Sequence, residues 1–188
     1  MANPQEKVQF NLKNVHYAIY DDTTGQWDAP VAVPGAVALS LEKEGDMEKF
    51  YADGIAYYVS NSNQGYSGDL EMAKFPDQML IDVWGYELGS TSKVLTEHAD
   101  AEPKVFALLF QVDTDKKAEL NVMYACTGTR PGKGGQTNED TKTPRTQTSN
   151  ITAVPMSSGL VCCRTTQDTP DNVRSNWFNQ VFVEGAAS

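Results

Sequence analysis

The fold of this chain is decided by residues 36–74, AVALSLEKEGDMEKFYADGIAYYVSNSNQGYSGDLEMAK. In an extended chain Val37, Leu39 and Leu41 fall on one face and the residues between them on the other, which is typical of a half-buried strand. Acidic residues then continue the same two-residue period: Glu42, Glu44, Asp46 and Glu48. Carboxylates on one face of a sheet repel one another unless solvent screens them. The stretch therefore predicts a sheet with an acidic surface that faces water or another subunit.

Length and charge bound the possibilities. The chain has 188 residues, of which 40% are hydrophobic, and this predicts a single domain over residues 1–188. Its net charge of −10 argues against nucleic-acid binding through neutralised phosphates. No apolar run approaches the roughly 20 residues that span a bilayer. The first residues also lack the charged segment followed by an apolar segment that is typical of a secretory signal. We therefore expect a protein made and kept in a cytosol, with no membrane partner.

Strand patterns dominate the chain, and turn residues separate them at short intervals. Strands are predicted at residues 7–10, 15–20, 31–33, 36–42, 49–52, 55–60, 70–74, 93–98, 105–111, 119–127, 146–154 and 159–166. Hairpin turns are predicted at residues 21–25, 44–46, 53–54 and 61–65, with Asp53-Gly54 the strongest two-residue signal. The predicted class is mainly β, an antiparallel sandwich or barrel with one or two short helices.

Two segments look helical, and one strand looks central. Residues 76–84 begin with proline and aspartate, place apolar residues on one face and stop at Gly85. A second helix is predicted from Thr169-Pro170-Asp171, with Val173, Trp177 and Val181 spaced four apart. Residues 105–113, VFALLFQVD, are nearly continuous in apolar side chains, which favours a strand buried on both faces.

Residues 128–144, GTRPGKGGQTNEDTKTP, have no aliphatic or aromatic side chain. Such a segment cannot offset the entropy cost of ordering by burying apolar area. We therefore expect a mobile loop unless a neighbour orders it. Loops of this length usually contact something, and a second subunit is the natural candidate.

Patterns for catalysis or metal binding are weak. Residues 128–134 match a phosphate-binding loop only in part, because the glycine spacing is one short and no Ser or Thr follows the lysine. His16 and His98 are the only histidines, and neither has ligands around it at metal-binding spacings. No serine lies in a Gly-x-Ser-x-Gly elbow. We expect no enzymatic activity, no metal and no cofactor.

The cysteines are odd in number: Cys126, Cys162 and Cys163. Side chains at successive positions of a strand point to opposite faces, so the adjacent pair does not bridge in ordinary strand geometry. Free, mostly buried thiols are predicted.

Aromatic residues offer an alternative function, since a small β fold can present them as a sugar-binding platform. The candidates are Tyr17, Tyr20, Trp27, Phe50, Tyr51, Tyr57, Tyr58 and Tyr66. Most of them are expected to be core residues or cross-strand pairs. A carbohydrate-binding β-sandwich module therefore stays open as an alternative.

Two segments carry a resemblance to a known family: residues 7–20, KVQFNLKNVHYAIY, and residues 35–80, from GAVALS to DQML. They resemble the major tail protein of long-tailed bacteriophages, the phi13-type tail tube family. The most specific part is residues 42–71, EKEGDMEKFYADGIAYYVSNSNQGYSGDLE. It is followed by a short helix opening FPDQ, by the strand VFALLFQVD and by a stretch ending ITAVPMSSGLV.

The resemblance implies a β-sandwich subunit that forms six-fold rings, stacked into a tube through which the genome leaves the capsid. It implies a location in the virion tail after assembly in the host cytoplasm. The implied partners are other copies of the chain, the tail initiator or baseplate, the tape measure and the tail terminator proteins. DNA would pass through without specific binding, and strand edges would be closed by neighbouring subunits.

The resemblance also implies roles for particular residues. The candidate acidic groups of the lumen are Glu42, Glu44, Asp46, Glu48, Asp69 and Glu71. The candidate ring-to-ring contact residues are Arg130, Lys133, Asn138, Asp140 and Lys142. Solvated outer-face charges are the alternative interpretation of the acidic set. A tube component of a related secretion system would share nearly every one of these features.

Overall fold

The computed structural model describes residues 7–135, 137 and 144–185. Its first seven strands are β1 (Gln9–Asp21), β2 (Gln26–Trp27), β3 (Val31–Ala32), β4 (Ala36–Glu44), β5 (Met47–Ala52), β6 (Ile55–Asn61) and β7 (Gly65–Met72). The later elements are α1 (Asp77–Trp84), β8 (Glu87–Leu88), β9 (Leu95–Thr96), β10 (Phe106–Thr114), β11 (Glu119–Gly128), β12 (Gln147–Val154), β13 (Cys162–Arg164) and α2 (Asp171–Asn176). The predicted class, mainly β and antiparallel with two short helices, is confirmed.

Within the described residues the main sheet has nine strands, in the order β2-β1-β10-β11-β12-β7-β4, with β3 paired to β1 and β13 to β11. Its strand pairs are antiparallel. β3 lies on β1 and leads directly into β4, so the two ends of the sheet approach each other. This curvature is compatible with a β-sandwich.

The strand predicted to be central lies in the middle of the sheet. β10 pairs with β1 on one side and with β11 on the other. Phe106 and Leu108 pack into a cluster on one face of the sheet, whereas Ala107 and Leu109 pack into a cluster on the opposite face, and all four are fully buried. A continuous apolar run is the expected sequence of such a strand, because neither face meets water.

The larger cluster is covered by α1. Met79, Val83 and Trp84 of this helix are buried against the inner side chains of β1, β7, β10 and β12. Pro76 precedes the helix, and Gly85 ends it in a left-handed conformation with φ 68°. The predicted bounds of α1 are therefore confirmed, and so is its role in sealing one face of the sheet.

The second cluster is covered by the C-terminal segment. Trp177 is buried there, and Val173, Phe178 and Val181 pack against it. The helix expected to carry these residues is shorter than their spacing implies, since α2 ends at Asn176. The residues that follow α2 still pack against the second cluster, although they are not helical.

One strand is longer than predicted. The strands predicted at residues 7–10 and 15–20 are parts of a single strand, β1, which begins at Gln9 and is interrupted only by register shifts against β10. One shift lies between Lys13 and His16, next to Asn14 at φ 50°. Asparagine tolerates this left-handed conformation. The polar residues that predicted a break between two strands therefore form a bulge within one strand.

Two of the four predicted hairpin turns are wrong. The turns at residues 21–25 and 53–54 join β1 to β2 and β5 to β6 as expected. At residues 44–46 and 61–65, by contrast, the chain does not reverse: Glu44 pairs with Gly65, and β5 pairs with β6 immediately beyond. Both segments interrupt one long hairpin made of β4–β5 and β6–β7. Gly45 has φ 142°, and a Cβ atom there would lie 2.0 Å from the Ser62 carbonyl oxygen, so this close approach requires glycine.

Candidate functional site: a bare acidic sheet face and an exposed hairpin arm

Four of the predicted acidic residues share one face of the sheet. Cross-strand partners lie on the same face, and β4 pairs Ser40 with Asp69 and Glu42 with Ser67. The same alternation places Glu44 and Glu71 on this face. Leu39, Leu41 and Leu70 lie on the opposite face, against the larger apolar cluster.

Strand β12 extends this acidic face with neutral polar groups. Glu71 pairs with Thr148, and Asp69 pairs with Asn150, whose side-chain amide donates a hydrogen bond to the Asp69 carboxylate over 3.3 Å. Ser67 donates to Glu44, and Thr146 donates to Glu71. Hydroxyl and amide groups therefore donate hydrogen bonds to these carboxylates without neutralising their charge.

The acidic face carries no matching positive charge in the part of the chain that the structure describes. None of Glu42, Glu44, Asp69 and Glu71 has a salt-bridge partner there. The register of β4, β7 and β12 places no lysine or arginine on this side of the sheet. We define these four carboxylates with their neighbours on β12 as the acidic face.

The remaining half of this side of the sheet is apolar and covered. Ala18, Ala107 and Val122 lie there beneath the C-terminal segment that contains Trp177. The cover ends before β12, β7 and β4, and Glu42, Glu44, Asp69 and Asn150 are exposed. One side of a single sheet is thus divided into a sealed apolar half and a bare acidic half.

Asp46 and Glu48, the other two predicted acidic residues, lie apart from the acidic face. Asp46 follows the end of β4, and its backbone N–H donates to the Ser62 hydroxyl over 3.0 Å. Glu48 is on β5 and pairs with Ser60. The alternation predicted for residues 42–48 therefore breaks at Gly45, where the ladder is interrupted. Whether any of the six residues faces DNA stays a prediction.

Beyond this interruption β5 and β6 form an exposed hairpin, which we call the arm (residues 47–61). The two strands pair with each other, and within the described residues no other strand pairs with them. Large apolar side chains of the arm are at least about half exposed: Met47, Phe50, Tyr51, Ile55, Tyr57, Tyr58 and Val59. Tyr57 is 72% exposed, a value typical of a polar surface residue.

The aromatic residues considered for sugar binding fall into two groups. Tyr17 is buried and its hydroxyl donates to Asp82 over 2.6 Å, while Tyr20 and Trp27 contact each other with ring centroids 5.1 Å apart. These three belong to or border the core, as expected, and so does Tyr66 of β7, which packs against the larger apolar cluster. The aromatic residues of β5 and β6 are on the arm instead, and the carbohydrate-binding alternative is a hypothesis about that group.

The loop expected to contact a neighbouring ring is held at its base by its own subunit. Arg130 Nη1 lies 2.5 Å from Glu97 Oε1, and Lys133 Nζ lies 2.8 Å from Glu97 Oε2. The Tyr86 hydroxyl donates to the same Oε2 over 2.6 Å. Hydrogen bonds from Lys133 and Tyr86 lower the pKa of Glu97 to about 2, so it is ionised at neutral pH.

Three of the predicted contact residues, Asn138, Asp140 and Lys142, lie outside the described residues. The sequence does not indicate Glu97 as the partner of Arg130 and Lys133, because no local pattern links positions so far apart. The ring-to-ring role of the loop stays a prediction.

Histidines and cysteines do not assemble into a reactive site in the described residues. No group of three or more His, Cys, Asp or Glu side chains there is arranged to hold a metal ion. His98 Nε2 lies 3.4 Å from Glu87, and His16 stacks on Phe178. All three cysteines are free, as predicted, but Cys126 alone is fully buried, and burial raises its pKa to about 12.

Among the described residues, no helix combines the length and the apolar character that crossing a bilayer requires. No protein-family model matches this chain, and no curated protein sequence matches it significantly.

Proposed function

We propose that this chain is the structural subunit of a tail tube of the long-tailed bacteriophage type. Copies assemble into rings, the rings stack, and the lumen conducts DNA. The observation that carries the proposal is the acidic face: a bare half of a sheet whose other half is sealed, with four carboxylates and no described cation. In a tube this face lines the channel.

The chemistry of the acidic face suits a channel for DNA. Residues two apart on a strand are separated by about 6.6 Å, so the carboxylates repeat closely enough to form one negative surface at an ionic strength where the Debye length is about 8 Å. DNA phosphates are repelled by such a surface. Without lysine or arginine on the face, phosphates find no partner that would retain them.

A tube subunit also needs surfaces for its own copies. The arm exposes large apolar side chains that a monomer in water has no reason to expose. β4 ends the order of the main sheet, so one of its edges has no partner strand in the described chain, and a neighbour closing that edge would remove an aggregation hazard.

The first test is assembly. Purified protein is measured by light scattering at low concentration and by negative-stain electron microscopy at high concentration. Hollow rings or tubes of uniform diameter are expected. A strict monomer at every concentration, even with a purified tail initiator, contradicts the proposal and directs attention to glycan-array screening of the arm.

The second test asks whether the acidic face lines the lumen. A variant reverses three of its charges: Glu42→Lys, Glu44→Lys and Asp69→Lys. Tubes are assembled with short duplex DNA, sedimented, and treated with nuclease. The variant is expected to retain nuclease-resistant DNA, because phosphates bound inside the tube are out of reach of the enzyme, whereas the wild-type protein retains none.

The matched control reverses three exposed carboxylates elsewhere: Asp22→Lys, Glu87→Lys and Glu102→Lys. The change in net charge is the same, so any DNA that it retains reports general electrostatic attraction. This DNA is expected to be nuclease-sensitive. If DNA held by the first variant is digested as fast as DNA held by the control, the acidic face is on the outside and the proposal fails.

A further inference from the structure

The tip of the arm consists of two residues, Asp53 and Gly54. Ala52 pairs with Ile55, so the connection between β5 and β6 is a two-residue turn. Asp53 has φ 53° and Gly54 has φ 76°. Two successive residues at positive φ form the turn that closes tight hairpins, and Asp-Gly is among the pairs that it favours. The fold therefore holds an aspartate directly before a glycine at an exposed hairpin tip.

This pair of residues occurs once in the sequence. Asp53 is the only aspartate that precedes a glycine, and no asparagine precedes one. The backbone nitrogen of the next residue is the internal nucleophile closest to an aspartate carboxyl group, and a side chain on that residue hinders its approach. Glycine has no Cβ atom. Asp53 is therefore the aspartate whose carboxyl group is attacked most easily by the backbone of its own chain.

The surroundings of the turn leave both reacting groups free. Among the described residues, the Asp53 carboxylate has no hydrogen-bond or salt-bridge partner. No heavy atom lies within 4 Å of the place that a Cβ atom would take at Gly54. Asp21, at the β1–β2 turn, differs: its carboxylate accepts hydrogen bonds from the Thr23 backbone over 2.8 Å and from the Thr24 hydroxyl over 2.9 Å. Such bonds hold a carboxylate in place, and Asp53 lacks them.

The arm also permits the motion that a reaction between these two groups requires. Rotation about the Cα–C bond of Asp53 brings its Cγ atom towards the Gly54 nitrogen, and a closed turn restrains this rotation. Within the described residues β5 and β6 pair only with each other. A two-stranded hairpin alone is marginally stable in water, and segments of low local stability open often. The tip therefore adopts the open conformations from which the two groups meet.

We propose that Asp53 is a site of spontaneous isomerisation to isoaspartate, with the Gly54 backbone nitrogen as the nucleophile. A bond forms between this nitrogen and Asp53 Cγ, and one Cγ–O bond breaks. The oxygen leaves as water with the N–H proton and one proton from solvent, and a five-membered succinimide ring remains. Water then adds to either carbonyl carbon of the ring, and the nitrogen takes up a proton. Cleavage at Cγ restores aspartate, whereas cleavage at the main-chain carbonyl gives isoaspartate, and neither step needs an oxidant.

Isoaspartate changes the backbone of the turn. The chain then runs through Cβ and Cγ of residue 53, which lengthens the main chain by one carbon atom, and the former main-chain carbonyl becomes a free carboxylate. Turn length fixes the register of a hairpin, so the pair of Ala52 with Ile55 is expected to break first. The arm therefore loosens as the protein ages, whether or not the chain forms tubes.

The test ages the protein and maps its aspartates. Full-length wild-type protein is incubated at low concentration and neutral pH, digested with trypsin, and sequenced by electron-transfer mass spectrometry, which distinguishes isoaspartate from aspartate. Isoaspartate is expected at residue 53, at a rate within about tenfold of that in a synthetic peptide of residues 48–58. Asp100 is the internal comparison, because it is exposed but is followed by alanine. It is expected to stay aspartate over the same time.

Two variants test the mechanism. Asp53→Gly keeps a pair that suits the turn but has no carboxyl group, so amide hydrogen exchange in β5 and β6 is expected to stay constant with age, whereas it rises in the wild-type protein. Asp53→Asn also suits the turn and closes the same ring with loss of ammonia. Ammonia leaves more readily than water does from a carboxylate, so this variant is expected to convert faster than the wild-type protein.

The outcomes decide the proposal. If residue 53 stays aspartate in the protein while the peptide converts, or if Asp100 converts as fast as Asp53, the proposal is wrong. If Asp53→Asn keeps its amide as well, the closed turn prevents ring closure, which overturns the role assigned to opening of the arm. Isoaspartate at residue 53 without increased hydrogen exchange in β5 and β6 would contradict the expected loosening.

Discussion

Replacing Gly68 by alanine is expected to detach β4 from the sheet that carries the acidic face. Gly68 lies in β7, between Leu41 of β4 and Ile151 of β12. A Cβ atom at this position would lie 1.8 Å from the Ser40 carbonyl oxygen, and real Cβ contacts are essentially never shorter than 3.0 Å. The obstacle is backbone, so no side-chain rotation relieves it.

The cost follows from this distance. The two strands would have to separate by roughly 1 Å, and overpacking of that kind costs about 1–3 kcal/mol. We expect the upper end of the range, about 3 kcal/mol, because the displaced atoms belong to a hydrogen-bonded ladder. Urea unfolding followed by tryptophan fluorescence measures the loss in the free energy of unfolding.

Gly132→Ala is the control, because no heavy atom lies within 4 Å of the place that a Cβ atom would take and its φ is not positive. It is expected to change stability by less than about 0.5 kcal/mol. Amide hydrogen exchange locates the effect of Gly68→Ala: protection should fall in β4 and persist in β10. Unchanged stability together with unchanged protection of β4 would refute the account of this close contact.

Four further predictions concern other parts of the chain. Trp84→Phe should lower the free energy of unfolding by about 1–3 kcal/mol in urea titrations. The reason is that the buried Gly128 carbonyl loses the hydrogen bond that it accepts from the Trp84 indole over 2.8 Å. A smaller loss would show that another donor replaces this bond. Glu97→Gln should speed tryptic cleavage after Lys133 by releasing its ion pair, and unchanged cleavage would contradict the role of that pair. Since the pKa of Glu97 falls from 4.5 to about 2 on folding, its stabilising effect is present above pH 4.5 and is lost as pH falls towards 2, so the stability difference between Glu97→Gln and the wild-type protein should vanish in that window. Iodoacetamide should label Cys162 first, because it is the exposed thiol; mass spectrometry showing earlier labelling of another cysteine would contradict this.

Elements whose local pattern coincides with their burial were predictable from the sequence. The run in β10 is apolar because both of its faces are covered. Helix α1 is bounded by Pro76 and Gly85, whose backbone preferences act locally. In both cases the information lies within about ten residues, and no distant contact has to be known.

The long hairpin could not be predicted, because its course depends on distant pairing. Residues 44–46 and 61–65 contain glycine, asparagine and serine, which form tight turns and ladder interruptions equally well. The choice is made by pairing of Glu44 with Gly65. For the same reason the sequence predicts Asp46 and Glu48 in one row with Glu42 and Glu44. In the structure the interruption of the ladder separates the two pairs.

The exposure of the arm could not be predicted from the sequence either. Residues 55–60, IAYYVS, have the composition of a core strand, and strand propensity does not distinguish a buried aromatic residue from one that awaits a partner. The ion pairs of Arg130 and Lys133 with Glu97 were hidden for a similar reason, since composition describes the loop without the rest of the fold that meets it.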